Sequence, residues 1–298
     1  MIVQQFSRSH PIQFMMGFLL LAITVIVYAL QGGVDNYYNL AAFTLIAAAS
    51  LLVIKFITSK NELELGSNLC FLIALSLYLA TIPYWNWESM LGNLFLLLAL
   101  RRVYAIRTGR ELLKKLFEAG FWLTLAAICS SASVAFAVLI PAAILLYTQG
   151  NFRNWVVPLL GATTVVILGL TLTSTVWETW GLFPSVVVQV PSVPAIPQRS
   201  LLLAVIGLLC LLSVPIYMAF AGRITQLQRR RYWLTLIVLL VAVLQYLFLA
   251  GSSLLCLALP LGIVLSVMLQ NIKLPLAGDL VLAILIGLAI YGVVGTAV

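Results

Sequence analysis

The sequence has very little charge. It contains 16 lysine and arginine residues and 8 aspartate and glutamate residues among 298, so 8% of the chain is charged and 63% is hydrophobic. A soluble domain usually carries about 25% charged residues. Apolar stretches run from one end of the chain to the other, and too few charges remain to cover a water-facing surface. The composition therefore predicts one integral membrane domain over residues 1–298 and leaves no room for a soluble domain of useful size.

Residues typical of metal sites and catalytic motifs are also scarce. His10 is the only histidine, and all the cysteines lie inside apolar runs without a CxxC spacing; they are Cys70, Cys129, Cys210 and Cys256. This pattern fits small buried residues better than disulfides or metal ligands. No phosphate-binding glycine loop, HExxH motif or GxSxG motif occurs. We therefore predict no metal and no cofactor, and the sequence leaves open whether the chain is an enzyme.

Long apolar runs are abundant, and each can be compared with the thickness of a bilayer. A spanning helix needs about 20 mostly apolar residues. This length predicts an all-α, polytopic transmembrane bundle of about 11 helices, in which residues 111–149 form two short helices. The predicted helices lie near 12–31, 38–58, 66–83, 88–106, 112–130, 133–149, 154–175, 200–221, 232–250, 253–270 and 277–296.

The distribution of basic residues decides how residues 111–149 cross the membrane. If a turn at Ser130–Ser133 divides them into two helices and the N-terminus is cytoplasmic, 15 of the 16 basic residues lie inside and only Arg199 lies outside. A single crossing would change the division to 10 and 6. Because cytoplasmic loops carry the excess of lysine and arginine, the first arrangement is favoured. The net charge of +8 then reflects membrane orientation, and no nucleic-acid partner is expected.

Polar residues within the predicted helices are few and uncharged. Asn93 and Gln245 lie in apolar runs, whereas no charged residue falls near a predicted bilayer centre. Charges buried in the membrane mark proton and ion pathways. Their absence from these positions disfavours a proton- or sodium-coupled transporter and leaves an uncoupled transporter as an alternative.

Acidic residues on the predicted outer face have aromatic or amide neighbours. Such carboxylates could accept hydrogen bonds from a sugar stacked on the rings, and one of them could act as a general base. Aromatic residues also collect at bilayer surfaces as a belt, which is the alternative interpretation. The candidate catalytic acids are Asp35, Glu88 and Glu178, and the candidate substrate-binding residues are Trp85, Asn86, Trp87, Trp177 and Trp180.

Basic clusters on the predicted inner face have two interpretations. Arg229, Arg230 and Arg231 form a run that orients the protein in the membrane or binds the phosphates of lipid headgroups. The amphipathic stretch Gly109–Glu118 either begins a cytoplasmic helix or lies in the membrane interface. Membrane lipids are the partners that both clusters predict.

Five short segments are distinctive when they are taken together: His10–Phe14, Asn93–Arg102, Lys115–Trp122, Asn151–Trp155 and Leu259–Ile263. With these segments the chain resembles an uncharacterised family of bacterial multi-pass inner-membrane proteins of about this length. The resemblance covers nearly the whole chain, and it implies a location in the bacterial inner membrane without implying an activity.

The predicted chain combines many helices, a short pair in the middle and a late apolar helix with an embedded proline, Pro260. In these features it more remotely resembles C-type glycosyltransferases, the membrane enzymes that use polyprenyl-phosphate sugars. Those enzymes carry a catalytic acid in the first external loop, where Asp35 is the only acid here. The loop Gln31–Tyr37 is about one turn, whereas theirs is long.

Three functions are consistent with these observations. The first is a role in cell-envelope glycan or lipid metabolism, as a reduced C-type glycosyltransferase-like protein with a polyprenyl-phosphate lipid as partner. The second is a non-catalytic subunit or scaffold bound to other inner-membrane proteins. The third is an uncoupled transporter of a lipid or small solute.

Overall fold

The computed structural model describes residues 11–30, 37–61, 67–148, 151–180, 226–248 and 254–271, together with 212–219 and eight single positions. Helix covers 93% of this part of the chain, which contains no strand. The all-α class is therefore confirmed.

Ten α-helices occur in the described part, one fewer than the eleven predicted. The predicted last helix, near 277–296, falls almost wholly outside the described residues, as does most of the predicted helix 200–221. The helices are α1 (Pro11–Leu30), α2 (Tyr37–Lys60), α3 (Leu69–Ala80), α4 (Trp87–Ala105), α5 (Leu112–Cys129), α6 (Leu139–Tyr147), α7 (Phe152–Trp180), α8 (212–219), α9 (Gln226–Phe248) and α10 (Ala258–Asn271). Four 3₁₀ segments lie between them, at Ile82–Tyr84, Ile106–Thr108, Ser131–Val138 and Leu254–Leu257.

Six of these helical segments are long and apolar enough to cross a membrane. Each contains at least 18 residues, and each matches a span predicted from the sequence: Ile12–Leu30, Tyr37–Lys60, Trp87–Thr108, Phe152–Thr171, Arg229–Leu247 and Leu254–Asn271. These six helices are consistent with the predicted multi-pass membrane protein. The cytoplasmic N-terminus stays a prediction.

Helix α3 is shorter than the predicted helix 66–83. It has 12 residues, which gives a length of about 18 Å, too short to cross about 30 Å of hydrocarbon unaided. The helix ends where Thr81 turns its hydroxyl back to the carbonyl of Leu77 and Pro83 enters a 3₁₀ turn. All 12 residues are buried, so α3 is an internal element that apolar composition alone could not distinguish from a spanning helix.

The division of residues 111–149 into two helices is confirmed. Helix α5 ends at Cys129, and Ser130 adopts an extended conformation with φ −139° and ψ 107°. The returning segment begins as eight residues of 3₁₀ helix and continues as the nine residues of α6. Because a 3₁₀ helix rises about 2.0 Å per residue and an α-helix 1.5 Å, the segment is roughly 30 Å long. It can therefore reach across the hydrocarbon with only 17 residues.

The centre of the bundle consists of α3 packed against α10. All residues of α3 and residues 258–269 of α10 are buried. The two helices approach closely at Gly262, where an added Cβ would lie 2.8 Å from the sulfur of Cys70. Helix α10 continues the 3₁₀ segment Leu254–Leu257, and together they form the most buried of the six spans. Helices α1 and α7 are peripheral, since only 22% of each of their spans is buried within the protein.

Helices α5 and α7 make a close crossing through glycine. A Cβ at Gly120 would lie 2.1 Å from the carbonyl oxygen of Pro158, and one at Gly161 would lie 2.2 Å from the carbonyl oxygen of Phe117. Small residues at such crossings let membrane helices pack backbone against backbone. Helix α5 packs against α4 as well as against α7.

Candidate functional site

Contacts between helix ends define a basic end of the bundle. Lys55 of α2 donates to the carbonyl of Ser67 at 2.9 Å, and Gln270 of α10 donates to the hydroxyl of the same residue at 2.5 Å. Arg231 of α9 donates to the carbonyl of Asn61 at 2.7 Å. All twelve described lysines and arginines lie within about two turns of the helix termini that meet here. They are Lys55, Lys60, Arg101, Arg102, Arg107, Arg110, Lys114, Lys115, Arg153, Arg229, Arg230 and Arg231.

Glu88 lies at the opposite end. Helix α4 begins there, beside the turn at Ser130: a Cβ at Gly92 would lie 2.8 Å from the Cβ of Ser130. Glu88 occupies the first turn of α4 and is exposed, where a carboxylate interacts favourably with the positive end of the helix dipole. The described basic residues and Glu88 are thus separated by the length of the bundle, as the charge pattern predicts.

The candidate substrate-binding residues around Glu88 have local structural contacts. Trp85 is buried and donates through Nε1 to the hydroxyl of Thr81 at 3.3 Å. Asn86 caps α4 by accepting a hydrogen bond from the backbone N–H of Ser89 at 2.7 Å. Loss of such a cap typically costs about 1 kcal/mol. These contacts give Trp85 and Asn86 structural roles that the sequence analysis did not anticipate.

Trp87 retains more exposed surface than Trp85. Its ring meets that of Phe43 edge to face at a centroid distance of 4.9 Å, and 45% of the residue is exposed. Tyr84 is similarly exposed, at 42%. Trp87, Tyr84 and Glu88 therefore present two accessible rings and a carboxylate at this end, an arrangement consistent with both the aromatic belt and a sugar-binding surface.

The structure describes less of the other predicted outer-face residues. Asp35 lies outside the described residues, and Trp177, Glu178 and Trp180 lie in the last two turns of α7, where the structure describes the backbone only. Glu178 is 17 residues beyond the crossing at Gly161, or about 26 Å along the axis, which places it at the same end as Glu88. Helices α4 and α7 each pack against α5. Convergence of the three acids on one site stays a prediction.

Two residues of the predicted lipid-headgroup run bind the protein's own backbone. Arg231 contacts Asn61 as described above, and Arg230 donates through Nη1 to the carbonyl of Leu146 at 3.0 Å. Arg229 is exposed. The run therefore connects α9 to the ends of α2 and α6, an arrangement that requires tertiary contacts and could not be inferred from three consecutive arginines.

Tyrosine hydroxyls gather beside these arginines. Tyr104 donates to the hydroxyl of Thr235 at 3.1 Å. The rings of Tyr217 and Tyr232 lie 4.9 Å apart, and the Tyr147 hydroxyl is close enough to Arg107 and Arg230 to interact with both. These tyrosines come from α4, α6, α8 and α9, so no local sequence signal could have shown that they meet.

A second group, which we call the interior polar cluster, comprises Ser50, Tyr78, Asn93, Gln245 and Cys256. Asn93 donates to the Tyr78 hydroxyl at 2.5 Å, and Gln245 lies 3.9 Å from the sulfur of Cys256. Ser50 lies beside the Tyr78 hydroxyl, but its own oxygen has no partner within hydrogen-bond geometry. The sequence analysis noted Asn93 and Gln245 only as uncharged intramembrane residues.

Metal and solute sites were sought in the same part of the chain. Within the described residues, no group of three or more histidine, cysteine, aspartate or glutamate side chains could hold a metal ion. A cavity of about 10 Å³ is lined by apolar side chains between α4, α5 and the segment 131–147. It is at the lower limit for a single water molecule and has no polar partner to offer one.

Comparisons with known proteins gave no match to this chain. No family model matches the sequence, no curated protein matches it, and no solved structure matches the fold. The resemblances to the inner-membrane family and to C-type glycosyltransferases therefore stay expectations.

Proposed function

We propose that the chain is a bacterial inner-membrane protein of cell-envelope glycan or lipid metabolism that holds an anionic lipid at its basic end. The supporting observation is that all twelve described basic residues gather at one end of the bundle. Helix termini at that end fall at the depth of the headgroups if the six spans cross the hydrocarbon. Clusters of lysine and arginine at that depth attract anionic lipids.

The described acids do little to offset this charge. Glu118 forms an ion pair with Arg102, and Glu111 lies 3.8 Å from Lys114. The first pair joins α5 to the end of α4, and the second lies within the start of α5. Both together leave a clear excess of positive charge. A polyprenyl phosphate and an anionic phospholipid are both candidate lipids, because each carries the same phosphate chemistry.

Purification in a mild detergent tests this proposal. We expect native mass spectrometry to detect an anionic lipid bound to the chain at a defined stoichiometry, and lipid extraction to identify it. Retention of zwitterionic lipids alone would contradict the proposal. A stoichiometric partner protein in place of the lipid would instead support the non-catalytic subunit.

A glycosyltransferase-like reaction at the opposite end is a second candidate. The observation that favours it is the exposed Glu88 carboxylate with Tyr84 and Trp87 exposed nearby. In this function Asp35 would be the general base, and Glu88 and Glu178 would bind the acceptor hydroxyls. Cells that depend on the chain should lose its function when Asp35→Asn, Glu88→Gln and Glu178→Gln are combined. Full function in that triple variant would exclude the catalytic version without affecting the proposed lipid binding.

A further inference from the structure

We propose that Arg107, Tyr147 and Arg230, with Tyr217 behind them, form a binding site for the phosphate of a lipid headgroup. The proposal rests on the proposed function and names the residues that would carry it out. The site includes Arg230 from the run Arg229–Arg231. It adds Arg107, Tyr147 and Tyr217, which lie outside that run.

Three helix ends bring the site together. Tyr147 is the last residue of α6, Arg107 lies in the 3₁₀ turn after α4, and Arg230 lies in the first turns of α9. The hydrogen bond from Arg230 to the carbonyl of Leu146 holds its guanidinium beside Tyr147. Both arginines act electrostatically on the Tyr147 hydroxyl, which is therefore near two positive charges at the basic end.

Two hydroxyls at this site lack a hydrogen-bond partner. The hydroxyl oxygens of Tyr147 and Tyr217 are both buried without one, and Tyr217 is 0% exposed. The Tyr217 hydroxyl interacts with those of Tyr104, Tyr147 and Thr235 without reaching hydrogen-bond geometry to any of them. Because a buried polar group without a partner is costly, these two hydroxyls indicate a ligand that accepts hydrogen bonds.

The donors at the site match the acceptors of a phosphate. Tyrosine hydroxyls can donate one hydrogen bond each, and a guanidinium can donate several in a planar fork. Phosphate oxygens accept such bonds, and charge-assisted bonds from arginine are the stronger kind. The apolar chains of a lipid would then lie along the bundle surface. Free phosphate shares the headgroup's chemistry, so the experiment must distinguish the two sources.

The test measures binding to the full chain in detergent by thermal shift and native mass spectrometry. The probes are polyprenyl monophosphate, phosphatidylglycerol, phosphatidylcholine and inorganic phosphate. We expect one of the two anionic lipids to bind. Tyr147→Phe and Tyr217→Phe should each weaken that binding on the order of tenfold, because each loses one hydrogen bond to a charged group. Arg107→Lys should weaken it as well by removing the planar fork.

Tyr37→Phe is the matched control, since it removes a tyrosine hydroxyl at an exposed position at the start of α2, away from the basic end. It should change the affinity less than twofold. If Tyr147→Phe and Arg107→Lys, eluting as monodisperse proteins, bind the lipid as tightly as the wild type, the site is wrong and the proposed function survives. If the wild type binds neither anionic lipid, both fail. If inorganic phosphate binds as tightly as the lipids, the headgroup assignment is overturned.

Discussion

Polar side chains inside this bundle face one another across helices. Asn93 of α4 is 2% exposed and Tyr78 of α3 is fully buried, and they share a hydrogen bond in the interior polar cluster. The amide oxygens of Gln245 and Asn93 have no hydrogen-bond partner among the described residues. In a low-dielectric interior such groups stabilise the fold only to the extent that each finds a partner, including bound water.

The bond between Asn93 and Tyr78 can be measured by a double-mutant cycle. Tyr78→Phe should lower the free energy of unfolding by about 1–3 kcal/mol, because it leaves the Asn93 amide without a bonding partner. The double variant Tyr78→Phe/Asn93→Leu should lose less unfolding free energy than the sum of the losses in the two single variants. The difference should be about 0.6–1.7 kcal/mol. Unfolding in detergent micelles provides the measurement, with Tyr37→Phe as the exposed control. Strictly additive effects would show that the bond contributes nothing.

Helices α5 and α7 show how an element can be predicted while its packing is not. The sequence predicts both helices to within a few residues at their starting ends, because long apolar runs and charged flanks are local signals. Their crossing depends on Gly120 and Gly161, which belong to different helices and to no shared motif. The shortness of α3 was missed for a related reason: a fully buried helix is apolar on all sides, as a spanning helix is.

The crossing of α5 and α7 should tolerate no added methyl group. Gly120→Ala and Gly161→Ala would each place a Cβ within about 2.2 Å of a backbone carbonyl oxygen. Since backbone cannot move aside as a flexible side chain can, we expect each substitution to destabilise the protein by roughly 1–3 kcal/mol. The melting temperature in detergent would report the loss.

Gly169 supplies the control on the same helix. It has no atom within 4 Å of an added Cβ, so Gly169→Ala should be neutral or slightly stabilising, because alanine has the higher helix propensity. Equal melting temperatures for Gly161→Ala and Gly169→Ala would mean that α7 does not pack on α5 through this face.

The whole molecule has two chemically different ends, and this asymmetry follows from the order of the helices. Every described basic residue lies at the end where α2, α4, α6 and α10 finish and α5, α7 and α9 begin. The sequence predicts this segregation because the positive-inside pattern is a property of the chain order. The partners of particular charges, such as Asn61 for Arg231, depend on tertiary contacts and could not be predicted.

Membrane orientation can be tested with single cysteines at two exposed positions, Glu88 and Arg153. Three segments separate them: α4, α5 and residues 131–147. If each crosses the membrane, the two positions lie on opposite sides; if residues 111–149 cross once, they lie on the same side. In a background with Cys129 and Cys210 replaced by serine, we expect a membrane-impermeant maleimide to label Glu88→Cys in right-side-out vesicles and Arg153→Cys in inverted ones. Labelling of both from one side would show that residues 131–147, despite their length of about 30 Å, return without crossing.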